Sequence, residues 1–245
     1  MALTDDQWVV ISGAGGALGS ALASHFASRG RRVLGLDRTF DGAAPAPGVM
    51  ASTVDLLVEA EVRQALADII QANEGIALLV NAVGLIWNEP VLALRGTKFA
   101  THSLETWRKV TDANLTAPFV VATQVAARMV RRGGGSIVNF SSIASRGNAG
   151  QAAYGAAKAG IEGLTRTMAV ELGPLGVRVN AVALGFIDVP TTRTAVAEER
   201  LQAYARNTPL GRLGRVEDVI GAIEFLAANA FANGTIVKLD GGLRL

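Results

Sequence analysis

Trp8-Val9-Val10-Ile11-Ser12-Gly13-Ala14-Gly15-Gly16-Ala17-Leu18-Gly19 joins an apolar run to a glycine-rich turn. Four apolar residues in succession, Trp8 to Ile11, predict a strand buried on both faces. The segment Ser20–Arg29 is Ala-rich, spaces Leu22, His25 and Phe26 as on a helix, and stops at Gly30. Arg32-Val33-Leu34-Gly35-Leu36-Asp37 then predicts a second buried strand that ends in an acid. Strand, glycine turn, helix, strand, acid is the order of a dinucleotide-binding βαβ unit. Glycines let the backbone turn tightly and approach a pyrophosphate, whose charge the helix N-terminus favours. Asp37 can accept hydrogen bonds from ribose hydroxyls and would repel a 2′-phosphate. A turn that merely connects strand to helix is the simpler reading, but the flanking elements agree with the motif.

The alternation continues along the chain. Strands are expected at Met50–Val54, ending at Asp55, and at Ala77–Asn81, Ser136–Ser141, Val177–Val182 and Thr235–Leu239. Helices are expected at Val58–Gln71, at Leu104–Arg131 with a break or bend near Pro118, at Tyr154–Leu172 and at Glu217–Ala228. Buried strands separated by helices imply a parallel sheet covered on both faces. Right-handed crossovers make it doubly wound, with a ligand crevice at the strand C-terminal ends. Residues Gly13 to Gly19, Asp37, Asp55, Asn81 and Ser142 all fall at such ends. The expected architecture is therefore a single α/β domain over residues 1–245, a Rossmann-type doubly wound parallel sheet.

Tyr154-Gly155-Ala156-Ala157-Lys158 puts a phenol and an ammonium one helical turn apart, on one face, just after Ser141 and Ser142. A phenol is a poor acid or base near neutrality, with an unperturbed pKa of about 10. A fixed cation beside it is expected to stabilise the phenolate and bring proton transfer into working range.

Composition narrows the partners. Half the residues are hydrophobic, and 23 basic residues nearly balance 21 acidic ones, giving +2. That balance gives no reason to expect nucleic acid or an anionic membrane. The basic cluster Arg128 to Arg132 reads as a charged helix C-terminus. Absence of cysteine excludes disulfides, thiolate metal sites and cysteine nucleophiles, and with only His25 and His102 no metal site is expected. His25 is expected to be a packing residue, and His102 to lie in a polar loop. No signal peptide is read in Met1–Gln7 and no membrane span anywhere, so a cytoplasmic protein is expected.

With these residues assembled, the chain resembles the short-chain dehydrogenase/reductase family, in the short single-domain branch that includes the 3-oxoacyl-carrier-protein reductases. The resemblance runs from Ser12-Gly13 to Leu239-Asp240-Gly241-Gly242 and takes in Pro209-Leu210-Gly211-Arg212-Leu213-Gly214-Arg215-Val216-Glu217-Asp218-Val219. It implies an oxidoreductase that transfers a hydride between a nicotinamide cofactor and a secondary alcohol/ketone substrate. By position it makes Tyr154 the general acid/base and has Lys158 bind the nicotinamide ribose and lower the phenol's pKa. Ser142 holds the substrate oxygen, and Asn114 holds a water linking Lys158 to solvent. Counting back from Tyr154 by the family's commonest spacing selects Ser141 instead. Aligning the strand selects Ser142 and puts a one-residue deletion in the loop, where deletions are better tolerated. Cofactor contacts are implied for Gly13, Gly16, Ala17, Leu18, Gly19, Asp37, Arg38, Asp55, Leu56, Asn81, Ala82, Gly84, Tyr154, Lys158, Gly185 and Ile187, with Val189 near the nicotinamide amide.

The departures are Ala17 for the family's middle glycine, Asn81-Ala82-Val83-Gly84 for Asn-Asn-Ala-Gly, and Leu184-Gly185 for Pro-Gly. None removes a catalytic group. Asp37 favours NAD over NADP, while Arg38 beside it could stack on adenine or meet a phosphate. Asp55 reads alternatively as a helix cap. The segment Leu85–Ser103 reads as a rim over the site, a subunit contact or surface decoration. Thr191–Tyr204 corresponds to the family's mobile substrate loop, where Arg193 or Arg200 is a candidate for an anionic substrate. Small residues Ala153, Gly155, Ala156, Ala159 and Gly160 suit close helix approach, and the resemblance implies a homo-oligomer, tetramer or dimer. Two alternatives remain open: an NADPH-dependent 3-oxoacyl or polyketide-type ketoreductase, and a nucleotide-binding scaffold or sensor without chemistry.

Overall fold

The computed structural model describes residues 7–40, 45–71 and 73–243. Seven strands form one parallel sheet: β1 (Trp8–Ser12), β2 (Arg32–Asp37), β3 (Val49–Thr53), β4 (Ile76–Asn81), β7 (Gly135–Ser142), β8 (Val177–Leu184) and β9 (Ile236–Leu239). Their order is β3-β2-β1-β4-β7-β8-β9. The chain winds outward from β1 to β3, then returns to β4 and winds the other way. That reversal lies between β1 and β4, so a crevice opens where Ser12 and Asn81 end their strands.

Five of five residues of β1 and six of six of β4 are buried, because helices cover both faces. Pleating sends Val10, Leu34 and Leu79 to one face, against α2 (Glu59–Ile69) and α4 (Ala117–Arg131). Val9, Ile11, Val33 and Val80 go to the other, against α1 (Ala17–Ser28) and α8 (Val216–Ala228). Both layers are mostly aliphatic, with Trp8 in one and Phe26 and Phe140 in the other, and truncating a fully buried residue such as Leu79 would cost about 2–5 kcal/mol.

Three regions differ from the sequence expectations. The segment Leu104–Arg131 is two helices, α3 (Leu104–Thr111) and α4, joined by a π turn at Asp112–Thr116. The interruption expected near Pro118 thus falls just before it, and Pro118 itself occupies the first turn of α4, where a missing N–H costs nothing. Within Leu85–Ser103 the chain forms an antiparallel hairpin, β5 (Leu92–Arg95) and β6 (Lys98–Thr101), turned at Gly96 with φ +63°. Finally, the substrate-loop region holds α6 (Pro190–Ala195) and α7 (Glu198–Asn207), the latter stacked through Tyr204 on Phe186 at 3.8 Å between ring centroids.

His25 does more than pack: its Nε2 lies 2.9 Å from the Glu224 carboxylate and joins α1 to α8. His102 lies in the short loop between β6 and α3, as the sequence suggested, but it is not open to solvent there. It is largely buried at the hairpin base, with Nδ1 3.0 Å from the Glu89 carbonyl oxygen.

Candidate active site

The glycine turn is built by close backbone approach. Gly13 has φ +77°, and a Cβ there would stand 2.5 Å from the Val83 nitrogen. A Cβ on Gly19 would lie 2.1 Å from the Gly13 oxygen, and one on Gly15 at 2.1 Å from the Thr39 oxygen. These three glycines lock β1, α1, the loop after β2 and the loop after β4 together. Gly13→Ala combines a left-handed backbone with a steric collision, so we expect a loss of about 2–4 kcal/mol. A chemical denaturation curve with a lowered midpoint and an unchanged slope checks this.

Gly16 has a different role. It is the N-cap of α1, no side-chain oxygen caps the helix there, and a Cβ would meet only the Gly13 oxygen at 3.3 Å. The first-turn amides of α1 are therefore left for an anion. Ala17, in place of the family's glycine, does no harm to this opening. It lines a separate cavity behind the turn, with Ser20, Ala23 and Phe40, and not the cleft in front of it.

That front cleft, about 440 Å³, is lined by Gly13, Gly16, Asp37, Arg38, Asp55, Leu56, Ala82 and Gly84. Its lining suits a dinucleotide: glycine backbone and a helix start for phosphates, two carboxylates to accept from ribose hydroxyls and an adenine amino group, and an apolar wall. Leu85, Lys109 and Asp112, which the sequence did not suggest, close its far side. Lys109 also lies over the exposed Trp87 ring, 5.6 Å from its centroid. The Asp37 carboxylate is partly engaged already, accepting from the Gly15 amide at 2.9 Å and the Arg38 amide at 2.7 Å. Asp55 accepts from the Leu57 amide at 2.9 Å in a turn before α2, whose N-cap is Val58. Arg38 is exposed at the cleft edge.

Several sequence-derived contacts do not reach this cleft with their side chains. Asn81 is buried and spent: it accepts from Ser12 Oγ at 2.8 Å and donates to Asn139 Oδ1 at 2.9 Å and the Pro118 carbonyl at 3.2 Å. Asn139 in turn donates to Thr165 Oγ1 at 3.0 Å. This chain of polar groups ties β1, β4 and β7 to α5 (Ala152–Leu172) beneath the site. Leu18 and Gly19 belong to α1, with Gly19 packed against the turn. Ile187 and Val189 are buried in the core, so only their main chain can face a ligand.

Beside the cleft, a chamber of about 50 Å³ is lined by Ser142, Tyr154, Gln151, Asn148, Gly185 and Phe186 among others. Strand alternation separates the two serines. Ser142 lines the chamber together with Tyr154 and accepts from the Ala144 amide at 3.2 Å. Ser141 points the other way, its single hydroxyl proton shared between Glu162 Oε1 at 3.0 Å and the Lys158 carbonyl at 3.2 Å. Gln151 and Asn148 are additions, and their closeness to Tyr154 in the chain was the available signal. Gln151 donates to Asn88 Oδ1 and accepts from Asn148 Nδ2, both at 2.9 Å, which fastens the strand-like segment at Glu89 to the loop before α5.

Lys158 is 4% exposed and its ammonium donates to the Phe140 carbonyl at 2.9 Å. Burial pulls its pKa down to about 8. The ammonium stands over the Tyr154 ring, 5.7 Å from its centroid. Contrary to the sequence expectation, the phenol is not lowered. Burial by the surrounding protein pushes it up, the nearby Ser142 hydroxyl only partly offsetting this, although the side chain remains partly exposed.

Asn114 sits in the π turn, fully buried. Its amide donates to the carbonyls of Val110 at 2.8 Å and Leu85 at 2.9 Å, and its oxygen accepts from the Leu85 amide at 3.2 Å. A Cβ on Gly84 would meet this oxygen at 2.9 Å and Lys158 Nζ at 3.5 Å, so both groups face the same gap, kept open by a glycine. Arg193 is not free for a substrate: Asp188 holds its guanidinium with two hydrogen bonds of 2.7 and 2.9 Å.

A family profile described as enoyl-(acyl carrier protein) reductase matches residues 13–244. The chain is a short-chain dehydrogenase/reductase. Among its relatives within the family, the short-chain reductase NovJ of Streptomyces niveus is 34% identical across 99% of this chain and 95% of its own. The 3-oxoacyl-(acyl-carrier-protein) reductase FabG of Aquifex aeolicus is 34% identical across 96% of each chain. The ligand-free aldohexose dehydrogenase of Thermoplasma acidophilum superposes with a TM-score of 0.83 at 27% identity, over 97% of this chain and 94% of that one. As a short-chain dehydrogenase/reductase the chain is an NAD(P)-dependent oxidoreductase. No described helix is long and apolar enough to cross a membrane.

Proposed function

We propose that this chain, acting as one dinucleotide-binding and catalytic domain, interconverts a secondary alcohol and its ketone using NAD(H). The observation that carries the reading is that one stretch of chain reaches both spaces: Leu85 lines the cleft with Gly16 and Asp37, and Ile86, the next residue, lines the chamber with Tyr154 and Ser142. Gly13, Gly16 and the start of α1 would hold the pyrophosphate. Asp37 would hold the adenosine ribose, Asp55 and Leu56 the adenine, and Lys158 the second ribose. Ala82, Gly84 and the main chain at Gly185 and Ile187 would flank the nicotinamide. The cofactor supplies hydride transfer to or from the substrate carbon.

The protein's own part is to manage the oxygen. With its pKa raised by burial, the Tyr154 phenol is protonated at neutral pH and ready to donate to a carbonyl oxygen. Ser142 holds that oxygen by a second hydrogen bond, which strengthens as negative charge develops. Lys158, fixed by Phe140, places a positive charge beside the ring, and its lowered pKa suits it to return a proton to the Tyr154 phenolate and to regain one from solvent by way of the gap at Gly84, which Asn114 also faces. In the oxidative direction Tyr154 takes the proton back.

Asp37 supports NAD, since a 2′-phosphate would meet its carboxylate. Asp37→Ala is expected to erode discrimination against NADP at least tenfold, read as the ratio of dissociation constants for NADPH and NADH. An unchanged ratio overturns the assignment of Asp37 as selector. A second reading, an NADPH-linked 3-oxoacyl reductase, draws on exposed Arg38 at the cleft edge and on relatives with that name. Screening secondary alcohols with NAD and 3-oxoacyl thioesters with NADPH separates the two.

A homo-oligomer belongs to the same proposal, in a cytoplasmic setting. Gly155 and Gly160 are small for reasons inside the chain, because a Cβ would meet the Ala144 oxygen at 2.8 Å or Leu115 at 2.9 Å. Ala156 and Ala159 face outward, as does Phe119 of α4 at 47% exposure, so α4 and α5 offer a flat, partly apolar face for a second copy.

A further inference from the structure

Between β7 and α5 the chain makes a short 3₁₀ turn, Ile143–Arg146, which carries it from Ser142 toward Tyr154. Two contacts clamp this turn onto α5. One is backbone packing, with the Ala144 oxygen close enough to Gly155 to exclude a Cβ there. The other is Glu162, two turns along α5 from Tyr154. Its Oε1 accepts from Ser141 Oγ at 3.0 Å and from Ser145 Oγ at 2.7 Å, one serine at the end of β7 and one within the turn. Its Oε2 pairs with the exposed guanidinium of Arg166 at 3.3 Å. Glu162 is 19% exposed as a side chain, so the bridge is largely shielded from competing water.

We propose that Glu162 is a positioning residue that sets the distance and angle between the Ser142 hydroxyl and the Tyr154 phenol. Ser142 lies between the two serines that Glu162 grips. Its own Oγ is fixed to the Ala144 amide inside the same turn, so the turn moves as a unit with the hydroxyl. Tyr154 is on the helix that carries Glu162. One carboxylate oxygen thus joins the two halves of the proton-donor pair, and it touches neither reacting group. Holding two groups to within a fraction of an ångström is what such a pair requires, since small displacements cost large factors in rate. This rests on the reading of Ser142 and Tyr154 as the pair that handles the substrate oxygen.

The test does not need a substrate. The chain has only two tyrosines, Tyr154 and Tyr204. Labelling tyrosine with carbon-13 at Cζ gives two resonances, whose shifts report hydrogen bonding at each phenol oxygen. Ser142→Ala calibrates the shift caused by removing the hydroxyl beside Tyr154. Glu162→Leu is expected to move the Tyr154 resonance at least half as far in the same direction, with Tyr204 unmoved. Glu162→Gln keeps an acceptor oxygen for both serines and is expected to restore the wild-type position. Should the leucine variant not fold, Ser145→Ala removes one arm of the bridge and is expected to give a smaller shift of the same sign. A Tyr154 resonance at its wild-type position in Glu162→Leu, or in Ser145→Ala where that stands in for it, overturns the proposal; so does a glutamine variant displaced as far as leucine. Failure of the underlying reading would show elsewhere, as undiminished turnover in Tyr154→Phe.

Discussion

Tyr154→Phe is expected to lower kcat about 10²–10⁴-fold, the range for loss of a positioned proton donor, while NADH binding stays within about twofold of wild type. The substitution removes one oxygen and leaves the ring in its place. Ser142 keeps its bond from the Ala144 amide, and Lys158 keeps the Phe140 carbonyl, so neither partner is stranded. The cleft that would take the dinucleotide is lined by other residues, from Gly13 to Ala117. Steady-state kinetics on a verified substrate, with fluorescence titration of NADH alongside, separates the two effects. Turnover within threefold of wild type would mean that another group delivers the proton.

Lys158→Met is expected to remove activity and raise stability together. At pH 7 the amine is protonated in the folded and unfolded chain, so folding bears the whole cost of burying the ammonium. Displacement of the pKa from 10.5 to about 8 puts that cost at roughly 3 kcal/mol. The folded chain binds fewer protons than the unfolded one between about 8 and 10.5, so stability rises with pH across that window. The cost is fully present below the folded pKa and gone above the unfolded one. Methionine removes it at every pH but leaves the Phe140 carbonyl without its donor, a loss of about 1 kcal/mol. The net gain is about 1–2 kcal/mol, a rise in Tm of roughly 2–8 °C. Thermal melts from pH 7 to 10.5 check both parts: the variant should melt higher at pH 7, and the wild type should approach it as pH rises. A variant that melts lower at pH 7 would mean that the lysine's hydrogen bond outweighs its desolvation.

The sheet was legible because parallel strands must be apolar throughout, and Val9-Val10-Ile11, Leu78-Leu79-Val80 and Ile137-Val138 have no other use. The glycine turn was legible because backbone crowding at Gly13 and Gly19 admits nothing larger. What the sequence hid was how polar side chains divide between ligand and scaffold. Asn81 stands at a strand end facing the crevice, yet its amide is consumed by Ser12, Asn139 and Pro118, partners 37 to 69 residues away in the chain. Tyr154 and Lys158 show the same gap for electrostatics: i,i+4 spacing brings the side chains together, but the ammonium settles on Phe140 and burial governs both groups. The hairpin at Leu92–Thr101 was missed because its apolar residues Leu94 and Phe99 face solvent, so alternation did not read as burial. Gly96, with its positive φ, was the available sign of a turn.

The most direct test of the whole account is side-by-side titration of the purified protein with NADH and NADPH, read by energy transfer from its three tryptophans. Asp37 at the end of β2 predicts tighter binding of NADH, by about tenfold or more, with the preference lost in Asp37→Ala. Tighter binding of NADPH would contradict the cofactor assignment and give Arg38 the decisive role. Binding of neither would contradict the reading of the cleft itself.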